Sequence, residues 1–198
     1  MILCSGFIFL TFIVALFPPS ALDLKISAAV QSIQSPELDR VMILISWFGA
    51  FPVPMFMGLL IAIIFYLFKF RREALFVVLT FVSGAISSII KIIVNRPRPT
   101  VNLVRIVEVA KQQSFPSGHM LFYTIFFGFL LVLMWNFKQL NSWLRAGVSV
   151  ISAFLILTIP FSRIYLGAHW FTDVLGGFIL GLICLYIIGA FYLKKNRL

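Results

Sequence analysis

The sequence predicts an all-α integral membrane protein, a bundle of six transmembrane helices with short interfacial helices, and three observations lead there. Of 198 residues 62% are hydrophobic and only 11% charged, with a mean hydropathy of +1.08, which leaves too few polar side chains to cover a water-facing surface. Six stretches contain no Asp, Glu, Lys or Arg: Met1 to Leu22, Val41 to Phe68, Ala74 to Ile90, Met120 to Phe137, Ala146 to Ser162 and Val174 to Leu193. Six spans of roughly 20 residues use about 120, so residues 1–198 are expected to form a single membrane-embedded domain.

The first stretch lacks a basic leader segment and a small-residue cleavage site before Pro18-Pro19, so it is expected to be a span rather than a signal peptide. Ile26, Val30 and Ile33 then repeat at helical spacing until Ser35-Pro36, which fits either a short interfacial helix or an ordinary capped connection. Gly49, Pro52 and Pro54 divide the second stretch, and Val41 to Phe51 is expected to tuck against the protein at the membrane rim. Ser83, Gly84, Ser87 and Ser88 in the third are read as helix-packing residues ahead of groove lining. The loop from Thr100 to Gln113 carries Leu103, Val104 and Val107 at helical spacing and is expected to form an interfacial flap. Cys4 and Cys184 both lie in apolar stretches, as small packing residues do, and support neither a disulfide nor a metal site.

A net charge of +10 would point to nucleic acid in a polar chain, but here the cations sit in short runs between apolar segments, where topology and an anionic substrate account for them. Counting crossings puts Lys91 to Ser117 and Ser162 to Asp173 on one face. That face carries Lys25, Arg40, Lys91, Arg96, Arg98, Arg105, Lys111 and Arg163; the other carries Lys69, Arg71, Arg72, Lys138, Arg145, Lys194, Lys195 and Arg197. The tie is broken because the first face also holds five of the six acids and because Lys91, Arg98 and Arg163 have a chemical role. The expected arrangement is multi-pass in the cell membrane, with the motif loops extracytoplasmic.

Both histidines, His119 and His169, fall on that face where a loop becomes a span. His169 and Asp173 are four apart, so on a helix the carboxylate lies beside the ring, can accept from one imidazole nitrogen and leaves the other as base or nucleophile. A cation buried at the hydrocarbon edge costs up to about 2.5–3.5 kcal/mol, and an anion held by Lys91, Arg98 and Arg163 would repay it. Arg grips phosphate oxygens through a planar fork and Lys acts as a point charge, while Ser117 and Gly118 open a helix whose N–H groups and dipole favour an anion. Arg105 and Lys111 are read as topology determinants, and Arg96 as surface-placed. Two His and one Asp could hold zinc, but the neighbouring cations oppose it.

Three separated segments now align with a known pattern: Lys91 with Arg98-Pro99 after six intervening residues; Pro116-Ser117-Gly118-His119; and Ser162-Arg163, five residues, His169, three residues, Asp173. The chain resembles the type-2 phosphatidic acid phosphatase family, all three parts matching in order. The resemblance implies a metal-independent lipid phosphatase with no cofactor. His169 would be the nucleophile that becomes phosphohistidine, Asp173 its orienting partner and His119 the general acid. Lys91, Arg98, Ser117, Gly118 and Arg163 would hold phosphoryl oxygens, with Pro99, Pro116 and Ser162 supporting the site. Members of similar size act on phosphatidylglycerophosphate, phosphatidic acid, diacylglycerol pyrophosphate or undecaprenyl pyrophosphate, so a lipid phosphate in the bilayer is the expected partner; nucleic acid is not expected, and oligomeric state is left open. A lipid-dependent phosphotransferase would share the same histidine. A transporter would place its ionisable groups at the midplane rather than at one rim, and a structural subunit would have no use for this cluster.

Overall fold

The computed structural model describes residues 2–17 and 19–194; Met1, Pro18 and 195–198, which include Lys195 and Arg197 of the charge tally, lie outside the described residues. Among the described residues there are nine helices and no strand: α1 Ile2–Leu16, α2 Ala21–Val30, α3 Pro36–Trp47, α4 Val53–Leu67, α5 Arg71–Leu79, α6 Val82–Val94, α7 Gly118–Asn136, α8 Ser142–Tyr165 and α9 Phe171–Lys194. The protein is all-helical, as expected. Helices α7, α8, α9 and the α5–α6 pair (71–94) are long and apolar enough to cross a bilayer. Helices α1 and α4 are apolar but 15 residues long, about 22 Å against a hydrocarbon core of about 30 Å. The six expected stretches thus resolve into four helices of full crossing length and two shorter ones.

Breaks fall where the sequence supplies them. Pro36 at the start of α3, with Ser35 capping Leu38 N–H, separates it from α2. The expected division of Val41 to Phe68 is present as α3, a turn, and α4. Asn95 closes α6 in the left-handed region, φ 47°, a conformation that asparagine tolerates.

Helix α7 is the central post, packed by α5, α6, α8 and α9. Its run of Met120 to Leu130 is buried on every side, including Phe122, Phe126 and Phe129, as expected of a helix apolar all round. Lipid tails are as apolar as these side chains, so dispersion in close packing holds the post, not transfer from water. The Phe122 and Phe126 rings stack at 5.0 Å, and the Tyr123 hydroxyl donates to the Ile45 carbonyl.

Two helices are polar on their inner side. On α2, Asp23 and Ser27 are buried, followed by Gln31 just past the helix, while Ala21, Leu22 and Lys25 are exposed. On α6, Ser83, Ser87 and Lys91 are buried at the same spacing, and Ile89, Ile92 and Ile93 face out. The helix expected around Ile26 to Ile33 therefore exists, but it turns its polar side toward the protein, because what lies beneath is a charged site rather than an apolar core. Gln31 pins two loops at once: its Nε2 donates to the carbonyls of Arg105 (2.8 Å) and Tyr165 (2.9 Å), and its Oε1 accepts from Arg105 N–H (3.1 Å).

The loop expected as a helical flap contains no helix; it is turns and extended chain, with Val101 and Val109 exposed. Its helical spacing is overridden by tethers. Val107 and Glu108 N–H groups both donate to the Leu166 carbonyl. Arg105 pairs with both oxygens of Asp39 (2.8 and 2.5 Å), so it is a loop anchor rather than a free topology determinant. The Arg105 guanidinium and the Tyr165 hydroxyl hold the Asp39 carboxyl below its ordinary range, and the carboxylate raises Arg105 in turn.

Candidate active site

Three backbone segments converge at the rim end of α7. The end of α6 brings Lys91, the loop beyond Asn95 brings Arg98, the α7 start brings Gly118 and His119, and the α8–α9 connection brings Arg163, His169 and Asp173. Gly167 makes that connection possible: its φ is +69°, and a Cβ there would stand 2.2 Å from the Arg105 carbonyl oxygen. The Ser117 N–H donates to the Asp173 carbonyl (3.0 Å), which locks the second segment to the third. Lys91, Arg98, Gly118, His119, Arg163 and His169 all line one cavity of about 880 Å³. The charge-bearing residues singled out in the sequence thus meet in space.

Ser117 does not reach the cavity wall. It is fully buried, its N–H is spent on Asp173, and its hydroxyl faces Met120 N–H at 3.5 Å as the α7 cap. Ser162 is buried and donates to the Met42 carbonyl (2.7 Å), tying α8 to α3. Pro99 and Pro116 are buried beneath the site.

His169 is 2% exposed. Its Nε2 lies 3.4 Å from Arg98 Nη1 on the cavity side, and its Nδ1 lies 3.5 Å from Asp173 Oδ2. The carboxylate lies beside the ring as expected, but His169 precedes α9 instead of sharing its helix, and the contact is longer than a hydrogen bond. The reason is competition: Oδ2 already accepts from Ser114 Oγ (2.5 Å) and Trp170 N–H (2.8 Å). Burial first, then the cations Arg98, Lys91 and Arg163, push His169 well below the ordinary imidazole value, opposed by the Ser114 backbone. Such a ring is neutral near pH 7 and keeps a lone pair for attack.

The cations are held by the loops they support. Lys91 Nζ donates to the Gln113 carbonyl (2.5 Å). Arg98 donates to the carbonyls of Gln112 and Ala168, the latter at 2.5 Å; burial and the Arg163 charge lower it to about 10, still cationic at neutral pH. Arg163, 1% exposed, grips Glu108 through both terminal nitrogens (2.8 and 3.0 Å) and donates to the Ser46 hydroxyl. A carboxylate in a bidentate fork occupies the donors that phosphate oxygens would use.

Several functional neighbours are not announced by the motifs. Arg96 is not at the surface: it is 2% exposed and bridges Asp173 Oδ1 (2.5 Å) and Asp23 Oδ2 (2.8 Å). Neither Asp23 nor Glu108 carries a local signal, since each pairing depends on a residue 55 or more positions away. Gly49, in the turn before α4, lies against the His119 ring, and a Cβ there would approach its Cδ2 to 2.5 Å. Ser83, Gly84, Ser87 and Ser88 line the cavity; Ser87 is also buried against Gly118 at the start of α7, whereas a Cβ on Gly84 would meet nothing within 4 Å. His119 Nε2 and Ser87 Oγ are buried without a hydrogen-bond partner. Among the described residues no group of three His, Cys, Asp or Glu side chains is arranged to hold a metal ion.

Comparison with known proteins bears on the family and the fold. The model of the PAP2 superfamily matches residues 72–197. Phosphatidylglycerophosphatase B of Bacillus subtilis (strain 168) is 29% identical over 178 residues, covering 88% of this chain and 85% of the relative. The crystal structure of a transmembrane PAP2 type phosphatidylglycerolphosphate phosphatase from Bacillus subtilis superposes with a TM-score of 0.85 at 26% identity, over 98% of this chain and 96% of that one. The Aquifex aeolicus LpxE structure shares the fold with a TM-score of 0.67 at 22% identity, over 90% and 98% of the two chains.

Proposed function

The chain belongs to the PAP2 superfamily, and on that premise we propose that residues 1–198 form one membrane lipid phosphatase domain that cleaves the phosphomonoester or pyrophosphate headgroup of its substrate through a phosphohistidine on His169. The observation that carries this reading is the lining of the cavity. It joins both histidines and three cations to apolar residues such as Met55, Leu59 and Phe81, which suit a lipid tail. Phosphatidylglycerophosphate is the first substrate to test, because the similar proteins are named for it.

In this reading the phosphoryl group sits between Lys91, Arg98 and the Gly118 backbone, and Arg163 turns its donors to it as Glu108 gives way, so that positive charge stabilises the transition state. His169 Nε2 attacks phosphorus, forming the P–N bond as the bond to the leaving oxygen breaks. His119, whose Nε2 is free, protonates that oxygen. Water then attacks phosphorus, its proton passes to His119, and the P–N bond breaks to release phosphate. Asp173 holds the imidazole orientation, while Ser117, Pro99, Pro116 and Ser162 keep the backbone in place. No step requires a metal or cofactor.

The charge tally supports an extracytoplasmic site in the cell membrane. A cysteine in the 100–113 loop should react with an impermeant thiol reagent in intact cells; reaction only after disruption would reverse the orientation.

The decisive experiment is phosphate release by detergent-purified protein with excess chelator, using phosphatidylglycerophosphate, phosphatidic acid, diacylglycerol pyrophosphate and undecaprenyl pyrophosphate. Cleavage of at least one, lost in His169→Ala together with acid-labile labelling of the protein, is expected. Activity that appears only with added metal would overturn the mechanism, and activity that appears only with an added alcohol acceptor would identify a phosphotransferase.

A further inference from the structure

Resting on His169 as nucleophile, we propose that Asp23 and Arg96 are positioning residues, a buried relay that sets how much negative charge Asp173 presents to His169. The geometry is specific. Arg96 lies between two carboxylates, giving Nη1 to Asp173 Oδ1 at 2.5 Å and Nη2 to Asp23 Oδ2 at 2.8 Å, with all three side chains at most 1% exposed. Thr172 stitches the relay together: its hydroxyl is 2.7 Å from Arg96 Nη1 and 2.9 Å from Asp23 Oδ1, and its N–H donates to that same oxygen at 2.9 Å. Ser20 completes the set, giving Asp23 Oδ2 its N–H (3.1 Å) and hydroxyl (2.9 Å).

Charge makes this more than a fastening. Two carboxylates share one guanidinium, so the trio carries a net negative charge in a setting where screening by water is weak. Were Asp23 neutral, Arg96 would be drawn to Asp173 alone and would cancel it. His169 would then face Lys91 from α6, Arg98 from the loop, Arg163 from α8 with its partner Glu108, and His119 from α7, with no net anion from α9. Attack places positive charge on the imidazole, and Asp173 is the group beside it that offsets that charge. Asp23 thus protects the usefulness of Asp173 without touching the cavity.

The test is Asp23→Asn in the full-length protein, measured for kcat, KM and the pH dependence of kcat/KM, with thermal melting in detergent to report the fold. A drop in kcat of about tenfold is expected, well short of the roughly 10⁴-fold seen when a histidine's orienting carboxylate is itself neutralised. KM should stay within about twofold, and the acid limb should move to lower pH because the imidazolium is less stabilised. Thr172→Val removes a hydroxyl but no charge, and should leave the limb in place. Asp23→Asn combined with Arg96→Gln leaves Asp173 uncancelled and buries no unpaired guanidinium; its limb should lie at or above the wild-type position, and it serves as the readout if the single variant does not fold. An unmoved limb in folded Asp23→Asn, a shift in Thr172→Val, or a double variant below wild type each overturns the relay. Persistent turnover in His169→Ala would instead remove the nucleophile assignment on which the relay depends.

Discussion

Replacing Gly49 by alanine tests whether His119 works from where its ring now stands. The added Cβ would lie 2.5 Å from His119 Cδ2 and 2.8 Å from Tyr123 Cε2, whereas ordinary contact begins near 3.4 Å. Tyr123 is held by its hydroxyl on the Ile45 carbonyl within the α7 core, so the histidine, with no bond on Nε2, is the side that yields. The gap must open by about 0.9 Å, and a misplacement of about 1 Å costs a catalytic group on the order of a hundredfold. The loss should depend on the leaving group. A lipid alkoxide or a glycerol oxygen needs its proton, whereas p-nitrophenolate leaves almost unaided. The assay is therefore kcat for phosphatidylglycerophosphate and for p-nitrophenyl phosphate, with melting curves to establish that the fold survives. A drop near a hundredfold on the lipid and only a few-fold on the aryl ester is expected. Equal losses on both substrates, or none on either, would refute the reasoning.

Gly84→Phe should fold normally, since nothing lies within 4 Å of a Cβ there, yet fill the tail end of the cavity: lipid turnover falls while p-nitrophenyl phosphate hydrolysis stays within a few-fold. Because His169 is held well below its ordinary value of 6.5 and reacts when neutral, the limb it contributes to kcat/KM should lie below pH 6.5, activity being lost only as pH falls through the lowered value; a limb above 6.5 would show the ring to be charged in the free enzyme. Glu108→Gln should free Arg163 for phosphate, lowering the inhibition constant of inorganic phosphate several-fold, and should cost about 1–2 kcal/mol in stability because Glu108 is one-third exposed; unchanged phosphate inhibition would mean that the pair persists in the bound state.

The reading of the chain was most secure where chemistry is written locally. Fixed spacings around Lys91, His119 and His169 mark the candidate groups, because each set is brought together within a few residues of a helix end. The division of Val41 to Phe68 was equally legible, since prolines and a glycine mark it. Pairing was not legible. Arg96 looked like one more rim cation because its two carboxylates lie 73 and 77 residues away, and Glu108 gave no sign that it would meet Arg163. Apolar periodicity also misled at Leu103 and Val107, where hydrogen bonds to Leu166 decide the chain path. The small residues of α6 serve both purposes, since a stripe that packs helices and one that lines a cavity have the same composition: Ser87 meets Gly118 of α7, and Gly84 faces open space.

The buried tie between α2 and α9 also bears on how the protein is made. Asp23 leaves the ribosome early, and its partner Thr172 follows 149 residues later, roughly 7–30 s at about 5–20 residues per second. For the first half of that interval the carboxylate lacks Arg96, 73 residues on, and for all of it the final helix; an unpaired charge is expelled from hydrocarbon, so until Arg96 is made it belongs in the hydrated headgroup layer. Insertion of the last helix supplies Thr172 and Asp173, so a chain cut before residue 172 holds Asp23 and Arg96 without the partners that close the tie. The tie is thus closed only near the end of synthesis, on a carboxylate made near its start.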